Sequence, residues 1–79
     1  MDDQKMVHMA NQIAAYFQAY PEARAREGVL DHIRKFWPPQ MRSQLVAFRV
    51  GGGEGLHPLV EWAAQALSDA NAGAPADSA

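Results

Sequence analysis

Residues 32–42 read His-Ile-Arg-Lys-Phe-Trp-Pro-Pro-Gln-Met-Arg, a stretch that predicts the end of one helix and the start of the next. Pro38 disfavours helical geometry in the residue before it, and Pro39 suits the first turn of a following helix. Phe36 and Trp37 therefore lie at a rigid corner. Three cations accompany them: Arg34, Lys35 and Arg42. This combination is more typical of a docking surface than of an active site.

The first helix of the chain is predicted to begin at a cap, either Asp2 or Asp3. It is predicted to end before Pro21, because proline disfavours helical geometry in the preceding residue. Its apolar residues fall within an arc of about 120°. They are Met6, Met9, Ala10, Ile13, Tyr16, Phe17 and Tyr20. An arc of this kind predicts that this face turns toward the core.

The second helix is predicted to follow a break at Gly28. Residues 21–27 are compatible with a helix, but glycine costs about 1 kcal/mol relative to alanine in a helix interior, which favours a short turn. Beyond the turn, an arc of about 120° holds the apolar residues: Val29, Leu30, Ile33, Phe36 and Trp37. Phe36 and Trp37 are therefore expected to give part of their surface to the core.

Two more helices are predicted after the corner. The third repeats apolar residues at helical spacing: Met41, Leu45 and Phe48. Gly51–Gly55 then breaks the chain, because its glycines cost too much entropy to order in a regular element. The fourth helix starts near Pro58, with Trp62 at the margin of its apolar face. That face consists of Leu59, Val60, Ala63, Ala66 and Leu67.

These elements predict an all-α fold, a small bundle of three to four short helices with a disordered C-terminal tail. Residues 1–69 form the domain, and residues 70–79 form the tail because they carry no large apolar residue. A single core of this size rarely contributes more than about 3–5 kcal/mol. The chain contains no cysteine, which excludes disulfides and thiolate metal sites.

Charge and hydropathy exclude further classes of protein. The net charge of −2 favours neither a nucleic acid nor an anionic membrane as partner. No apolar run approaches the roughly 20 residues that a membrane helix needs, and the polar N-terminus does not lead into a signal-peptide core. We therefore expect a soluble, cytoplasmic protein.

Patterns typical of catalysis or metal binding are not found. His8, His32 and His57 lack metal-ligand spacing, no serine lies in a nucleophile-elbow turn, and no carboxylate pair shares an apolar environment. We expect no independent enzyme and assign no catalytic or metal-binding residue. Gly51–Gly55 is not followed by the Gly-Lys-Ser/Thr of a phosphate loop. We therefore expect a linker that is flexible or ordered by a partner, and we favour this over anion binding by the backbone amides of the segment.

The corner instead predicts protein binding. Residues 31–49 hold one acidic residue, Asp31, against four cations: Arg34, Lys35, Arg42 and Arg49. These cations could contact an acidic partner or, in second place, cofactor phosphates. Nucleic acid is disfavoured, because its binding depends on many phosphate contacts. Tryptophan and arginine dominate interface hot spots. The candidate partner-binding residues are Phe36, Trp37, Pro39, Met41 and Trp62.

Three blocks of the sequence resemble the delta subunit of NAD-dependent, molybdenum-containing formate dehydrogenase. The blocks are Lys5–Ala14, Asp31–Trp37 with Pro39 and Met41-Arg42, and Gly52–Leu56 with Pro58-Leu59-Val60. The middle block is the most specific, because an aromatic pair, a proline and Met-Arg rarely occur at this spacing by chance. The chain departs from the family pattern at Pro38 and Gln40, where an acidic and a basic residue commonly stand. Unlike an aspartate, Pro38 cannot cap the third helix with its side chain.

The resemblance implies a non-catalytic accessory subunit that docks on the large, or alpha, subunit and supports assembly or molybdenum cofactor insertion. It implies a wider hetero-oligomeric complex that contains bis-molybdopterin guanine dinucleotide, iron–sulfur clusters, FMN and NAD, with no cofactor assigned to this chain. In this hypothesis the edge of Trp37 and its cationic flank meet the large subunit. The alternatives are a transient cofactor-binding assembly chaperone that is not retained in the mature enzyme and, in third place, a small nucleic-acid-binding helical module.

Overall fold

The computed structural model describes the backbone of residues 2–73 and the side chains of residues 2–70. This part of the chain contains no strand and forms four helices: α1 (Asp3–Phe17), α2 (Glu22–Phe36), α3 (Pro39–Val50) and α4 (Pro58–Gly73). The predicted all-α fold is confirmed. α4 continues past Asp69, where the domain is predicted to end, to Gly73. The rest of the predicted tail lies outside the described residues.

The core forms where α2 packs against α1 and α4 and where α3 packs against the same two helices. Every buried side chain in the described part of the chain is apolar. The largest fully buried ones are Met6, Val29, Ile33, Leu45 and Val60. Burying a side chain of this size stabilises a fold by about 1.5–3 kcal/mol. Because every helix contributes at least one of these residues, the four helices depend on one another for stability.

α1 begins at the predicted cap, and its buried face is rotated relative to the predicted one, with Met6 and Ala10 belonging to both. The Asp2 carboxylate accepts a hydrogen bond from the Gln4 N–H at 3.3 Å. Met6, Ala10 and Ala14 are fully buried. The small side chains of Ala10 and Ala14 let the backbone of α1 come close to its neighbours, and the buried face that follows these alanines leaves Tyr16 outside it. The predicted burial is therefore wrong for three residues: Met9, 38% exposed, Tyr16, 65%, and Tyr20, 40%.

The C-terminal end of α1 lies at Phe17, before the predicted end at Tyr20. There the Tyr20 N–H donates to the Phe17 carbonyl at 2.9 Å and closes a turn. Pro21 follows this turn and precedes the first residue of α2. The turn places the aromatic residues at the end of α1 beside the first half of α2.

α2 runs through Gly28 without the predicted break. The ring of Phe17 packs at this point, and a Cβ atom added to Gly28 would lie 2.4 Å from Phe17 Cδ1. Glycine is therefore required for the close approach of α1 and α2, and this packing offsets its propensity cost of about 1 kcal/mol. The predicted turn is wrong because contact with another helix overrides the local preference.

Candidate functional site

The corner between α2 and α3 has the geometry that its two prolines impose. Trp37 follows the last residue of α2 and has an extended backbone, with φ −93° and ψ 136°, as a residue before proline prefers. Pro38 stands at the N-cap of α3 and forms no side-chain cap, and Pro39 is the first helical residue. The predicted helix stop and the missing side-chain cap at Pro38 are both confirmed.

The two aromatic residues of the corner differ sharply in exposure. Trp37 is 6% exposed and belongs to the core, whereas Phe36 is 70% exposed. Trp37 has left helical geometry, so its indole no longer follows the helical arc. Phe36 is the last residue of α2 and follows the buried residues Val29, Leu30 and Ile33 of this helix. The expected contribution of Phe36 to the core is therefore wrong, and Trp37 keeps only a small edge for a partner.

The exposed ring of Phe36 pairs with the half-buried ring of His32, one helical turn earlier. Their ring centroids lie 4.8 Å apart, with an angle of 44° between the ring planes. Side chains four residues apart are neighbours on a helix surface, so the imidazole supports the phenyl ring. Pro38 and Pro39 are exposed beside this pair. We call these four residues the aromatic corner. Aromatic side chains, phenylalanine among them, are enriched at protein interfaces.

Arg42 reaches back across the corner and caps α2. Its Nη1 atom donates to the Trp37 carbonyl at 2.7 Å and to the Arg34 carbonyl at 3.3 Å. The guanidinium thus satisfies carbonyl groups at the C-terminal end of α2 and complements the helix dipole. Contact between Arg42 and an acidic partner or a phosphate stays a prediction, but part of its hydrogen-bonding capacity is already used within the chain.

The other predicted cations differ in their availability. Lys35 Nζ pairs with Asp31 Oδ2 at 3.1 Å. Arg34 is exposed and has no ion-pair partner within the described residues. Arg49 lies about 10 Å from Arg42 along α3, and its Nε atom is buried without a hydrogen-bond partner in the described structure. Three of the four cations therefore meet at the corner, and Arg49 lies apart.

The remaining predicted partner-binding residues lie in different environments. Pro39 is exposed, and Met41 is partly buried against the core. Trp62 is partly buried on α4, where the Arg26 guanidinium lies 5.5 Å from the centroid of its ring. Arg26 is about 15 Å along α2 from Phe36, so Trp62 does not share the aromatic corner. A partner-binding role for these residues stays a prediction.

The glycine loop between α3 and α4, residues 51–57, is an integral part of the fold. Gly52, Gly53 and Gly55 have positive φ angles of 131°, 64° and 86°, a conformation that favours glycine. Asn11 holds the loop through both ends of its amide. Its Nδ2 donates to the Gly55 carbonyl at 2.8 Å, and its Oδ1 accepts from the His57 N–H at 2.9 Å. The loop is thus held by contacts within the chain, whereas the sequence predicts a linker that is flexible or ordered by a partner.

Most backbone N–H donors of this loop are already used within the chain. The N–H groups of residues 51–53 donate to carbonyl groups at the end of α3, each at 3.0 Å. The Leu56 N–H donates to the Gly53 carbonyl at 3.1 Å. An anion-binding nest needs such amides to be free and to point at the ligand. Among the loop residues, only the N–H groups of residues 54 and 55 have no acceptor in the described structure, which disfavours anion binding by this loop.

His57 acts as the cap of α4. Its Nδ1 accepts from the Leu59 N–H at 3.1 Å, and its Nε2 lies 3.1 Å from Gln18 Oε1. A neutral ring with the proton on Nε2 satisfies both contacts at once. Sequence reasoning missed this role because histidine is not among the residues preferred at a helix N-cap.

A second exposed aromatic group lies at the end of α1. The ring centroid of Tyr16 is 4.9 Å from that of Phe17 and 6.3 Å from that of Tyr20, and the Arg24 guanidinium lies 5.9 Å from the Tyr20 ring. A hydrogen-bonding interaction with Tyr20, followed by its Coulombic effect, raises the pKa of Tyr16. The predicted apolar face of α1 includes all three rings, and of these only Phe17 packs against the core. The number of aromatic residues in this segment could have indicated their exposure, since one short helix cannot bury so many large side chains.

The described residues offer no group of three or more side chains that could hold a metal ion. The polar side chains described above cap helices, fix a loop or lie on the surface. In the part of the chain that the structure describes, no helix has the length and apolar character needed to cross a bilayer.

The fold and these surfaces define a small helical protein whose distinctive side chains serve packing, capping and surface contact. A comparison with family models matches residues 5–64 to the NADH-dependent formate dehydrogenase delta subunit FdsD. The match covers most of the 79 residues, so the chain belongs to this family, as the resemblance predicts. Comparisons with curated proteins and with solved structures gave no match.

Proposed function

We propose that the chain is a non-catalytic accessory subunit of a cytoplasmic, NAD-dependent molybdenum formate dehydrogenase. It docks on the large catalytic subunit and supports assembly of the enzyme or insertion of its molybdenum cofactor. Family membership supports a place in this complex. The observation that carries the docking role is Phe36, a large apolar side chain that is 70% exposed at a fixed corner.

The energetics of the aromatic corner favour docking. Complete burial of a phenylalanine contributes about 1.5–3 kcal/mol, and most of this gain is unused while Phe36 is exposed. The two prolines and the cap from Arg42 fix the corner before a partner arrives, so little conformational entropy is lost on binding. Phe36 therefore fits the role of anchor better than Trp37, whose area is already buried in the core.

The cations of the corner favour an acidic protein surface over cofactor phosphates. Lys35, the residue before Phe36, is exposed, and so is Arg34. Arg42 uses donors on the carbonyls of α2, which leaves fewer for a phosphate. The same distribution disfavours the nucleic-acid module, because affinity for a nucleic acid grows with the number of free phosphate contacts. In this arrangement the aromatic corner meets an apolar socket with carboxylates at its rim.

The experiment is co-expression of the tagged chain with the large subunit, followed by measurement of the affinity between them. Phe36→Ala is expected to weaken the complex by about 2 kcal/mol, or roughly 30-fold, if the ring is an interface anchor. The matched control is Tyr16→Ala, which truncates another largely exposed aromatic residue, 65% exposed, on α1. Thermal melting of each isolated variant checks that the fold is retained.

A Phe36→Ala variant that binds as tightly as Tyr16→Ala would remove the aromatic corner from the interface. The role in cofactor insertion is tested by the molybdenum content of large subunit produced with and without the chain. Equal metal content would contradict this role. Recovery of the chain only with molybdenum-free large subunit would identify the transient chaperone instead of a retained subunit.

A further inference from the structure

A groove lies between the start of α1, the second half of α3 and the glycine loop. It consists of two adjoining cavities of about 370 and 380 Å³. Asp3, Phe48 and Glu54 line both of them. The groove is formed by residues from different elements, and the aromatic corner lies at the other end of α3. We call it the acidic groove.

The lining of the acidic groove joins an apolar surface to two carboxylates. Val7, Ala47 and Phe48 supply the apolar part, and Asp3 and Glu54 supply the charge. Among the described residues, no lysine or arginine lines either cavity. The two carboxylates therefore give this lining a negative potential next to apolar surface.

The two carboxylates are held differently. Asp3 Oδ1 accepts a hydrogen bond from Gln44 Nε2 at 2.7 Å, which joins the start of α1 to α3 and fixes this carboxylate beside the groove. Glu54 lies on the glycine loop, whose position is set by Asn11. Its exposed carboxylate forms no ion pair within the described residues. Glu54 is thus held by a fixed backbone and remains open to a cation from outside.

A lysine or arginine side chain has the chemistry that this groove lacks. Its methylene stem can pack on Phe48 and Val7 while its charged head meets the carboxylates. A metal ion would need further ligands, and the described residues contain no group of three that could supply them. A basic side chain of a partner protein therefore matches both the charge and the apolar surface of the groove.

We propose that the acidic groove binds a lysine or arginine side chain from a basic segment of the large subunit. This inference rests on the proposed function and gives the chain a second contact with the same partner. The aromatic corner then faces a carboxylate-rimmed socket at one end of α3, and the acidic groove receives a cation at the other. Two contacts of opposite charge fix the orientation of the chain on its partner.

Photo-cross-linking in the co-expressed complex tests this proposal directly. Benzoylphenylalanine replaces Ala47, which is exposed and lines the groove, and in a matched control it replaces Ala15, an exposed alanine on α1 that lines neither cavity. Mass spectrometry then identifies the attached peptide. The expected product joins position 47 to a large-subunit peptide with a lysine or arginine next to the attachment point, and position 15 gives no such product.

Charge substitutions give a second, independent readout. Glu54→Lys is expected to weaken binding of the large subunit by about tenfold, and Glu54→Gln by less, because only the lysine repels the incoming cation. The matched control is Glu27→Lys, which reverses another exposed carboxylate, on α2. The melting temperature of the isolated chain should remain unchanged in all three variants.

Several results would overturn the proposal. These are cross-linking of position 47 to a second copy of this chain, cross-linking to a large-subunit peptide without a nearby cation, and unchanged affinity of Glu54→Lys. In each case the complex itself still forms, so the proposed function stands. Failure of the wild-type chain to bind the large subunit at all is a different result, which rejects the proposed function together with this contact.

Discussion

Gly28→Ala tests the packing of α1 against α2, because two effects of known sign oppose each other at this position. In a helix interior, alanine is about 1 kcal/mol more favourable than glycine. Here the new Cβ atom would lie 2.4 Å from both Cδ1 and Cε1 of Phe17. Favourable contacts between carbon atoms require about 3.5–4.0 Å. The ring must therefore move if the substitution is to be accommodated.

The expected net effect is a loss of stability. Phe17 is partly buried against the core, and its ring lies 4.9 Å from Tyr16 and 5.8 Å from Tyr20, so its neighbours restrict this movement. Overpacking of this kind costs about 1–3 kcal/mol. Subtracting the gain in propensity leaves a destabilisation of about 1 kcal/mol, which corresponds to a fall of about 4–8 °C in Tm for a domain of this size. Thermal and urea denaturation followed by circular dichroism measure both quantities.

A double-mutant cycle with Phe17→Ala isolates the cause. Once the ring is removed, the added methyl group has space, so Gly28→Ala should stabilise the Phe17→Ala variant by about 1 kcal/mol. The effect of the same substitution thus changes sign between the two backgrounds. A Gly28→Ala variant that melts above the wild type would refute the close approach of Phe17 to Gly28.

Three further predictions concern caps and ring contacts. Arg42→Ala should lower the free energy of unfolding by about 1–2 kcal/mol in urea denaturation, because the carbonyls at the end of α2 lose a charged donor. Arg42→Lys should restore part of this stability. Equal stability of the wild type and both variants would argue against the cap. His57→Ala should lower the free energy of unfolding by about 1 kcal/mol, whereas His57→Asn should lose little because the asparagine side chain can accept from the Leu59 N–H. An equal loss of stability in both variants would contradict capping. Tyr20→Phe should lower the raised pKa of Tyr16 toward its ordinary value of 10.0, as followed by absorbance at 295 nm. A folded-state pKa above the unfolded one means that the stabilisation from this tyrosine pair is present below pH 10.0 and is lost as the pH rises through the folded-state value. An unchanged titration in Tyr20→Phe would exclude this pair as the cause.

Helical periodicity predicted most of the fold, because the period of a helix follows from backbone geometry alone. Ile33, Leu45 and Val60 are buried on the faces where the pattern places them. The pattern failed at Gly28, where the decisive contact is a ring from α1. It failed again at Tyr16, because the rotation of α1 depends on how closely its neighbours approach. Both failures concern distances between helices, and the conformational preferences of single residues carry no information about these distances.

The position of the candidate site was predictable, but the orientation of its side chains was not. The prolines identified the corner, and the aromatic and cationic residues marked it as a surface for contact. Phe36 and Trp37 were assigned to one helical face, although the residue before Pro38 must leave the helix. The hydrogen bonds from Arg42 to the end of α2 and from Asn11 to the glycine loop join residues whose meeting depends on how the helices are arranged. No spacing rule predicts such pairs.

The two hydrogen bonds of Asn11 restrict what chemistry this position tolerates. The side chain must donate at one atom and accept at the other, and only an amide of this length does both. Aspartate has almost the same shape, but it would place a carboxylate oxygen against the Gly55 carbonyl. Deamidation of Asn11 during storage would therefore release the glycine loop without changing the volume of the side chain. Position 11 is the place to look first if an aged preparation loses the groove while its helices remain intact.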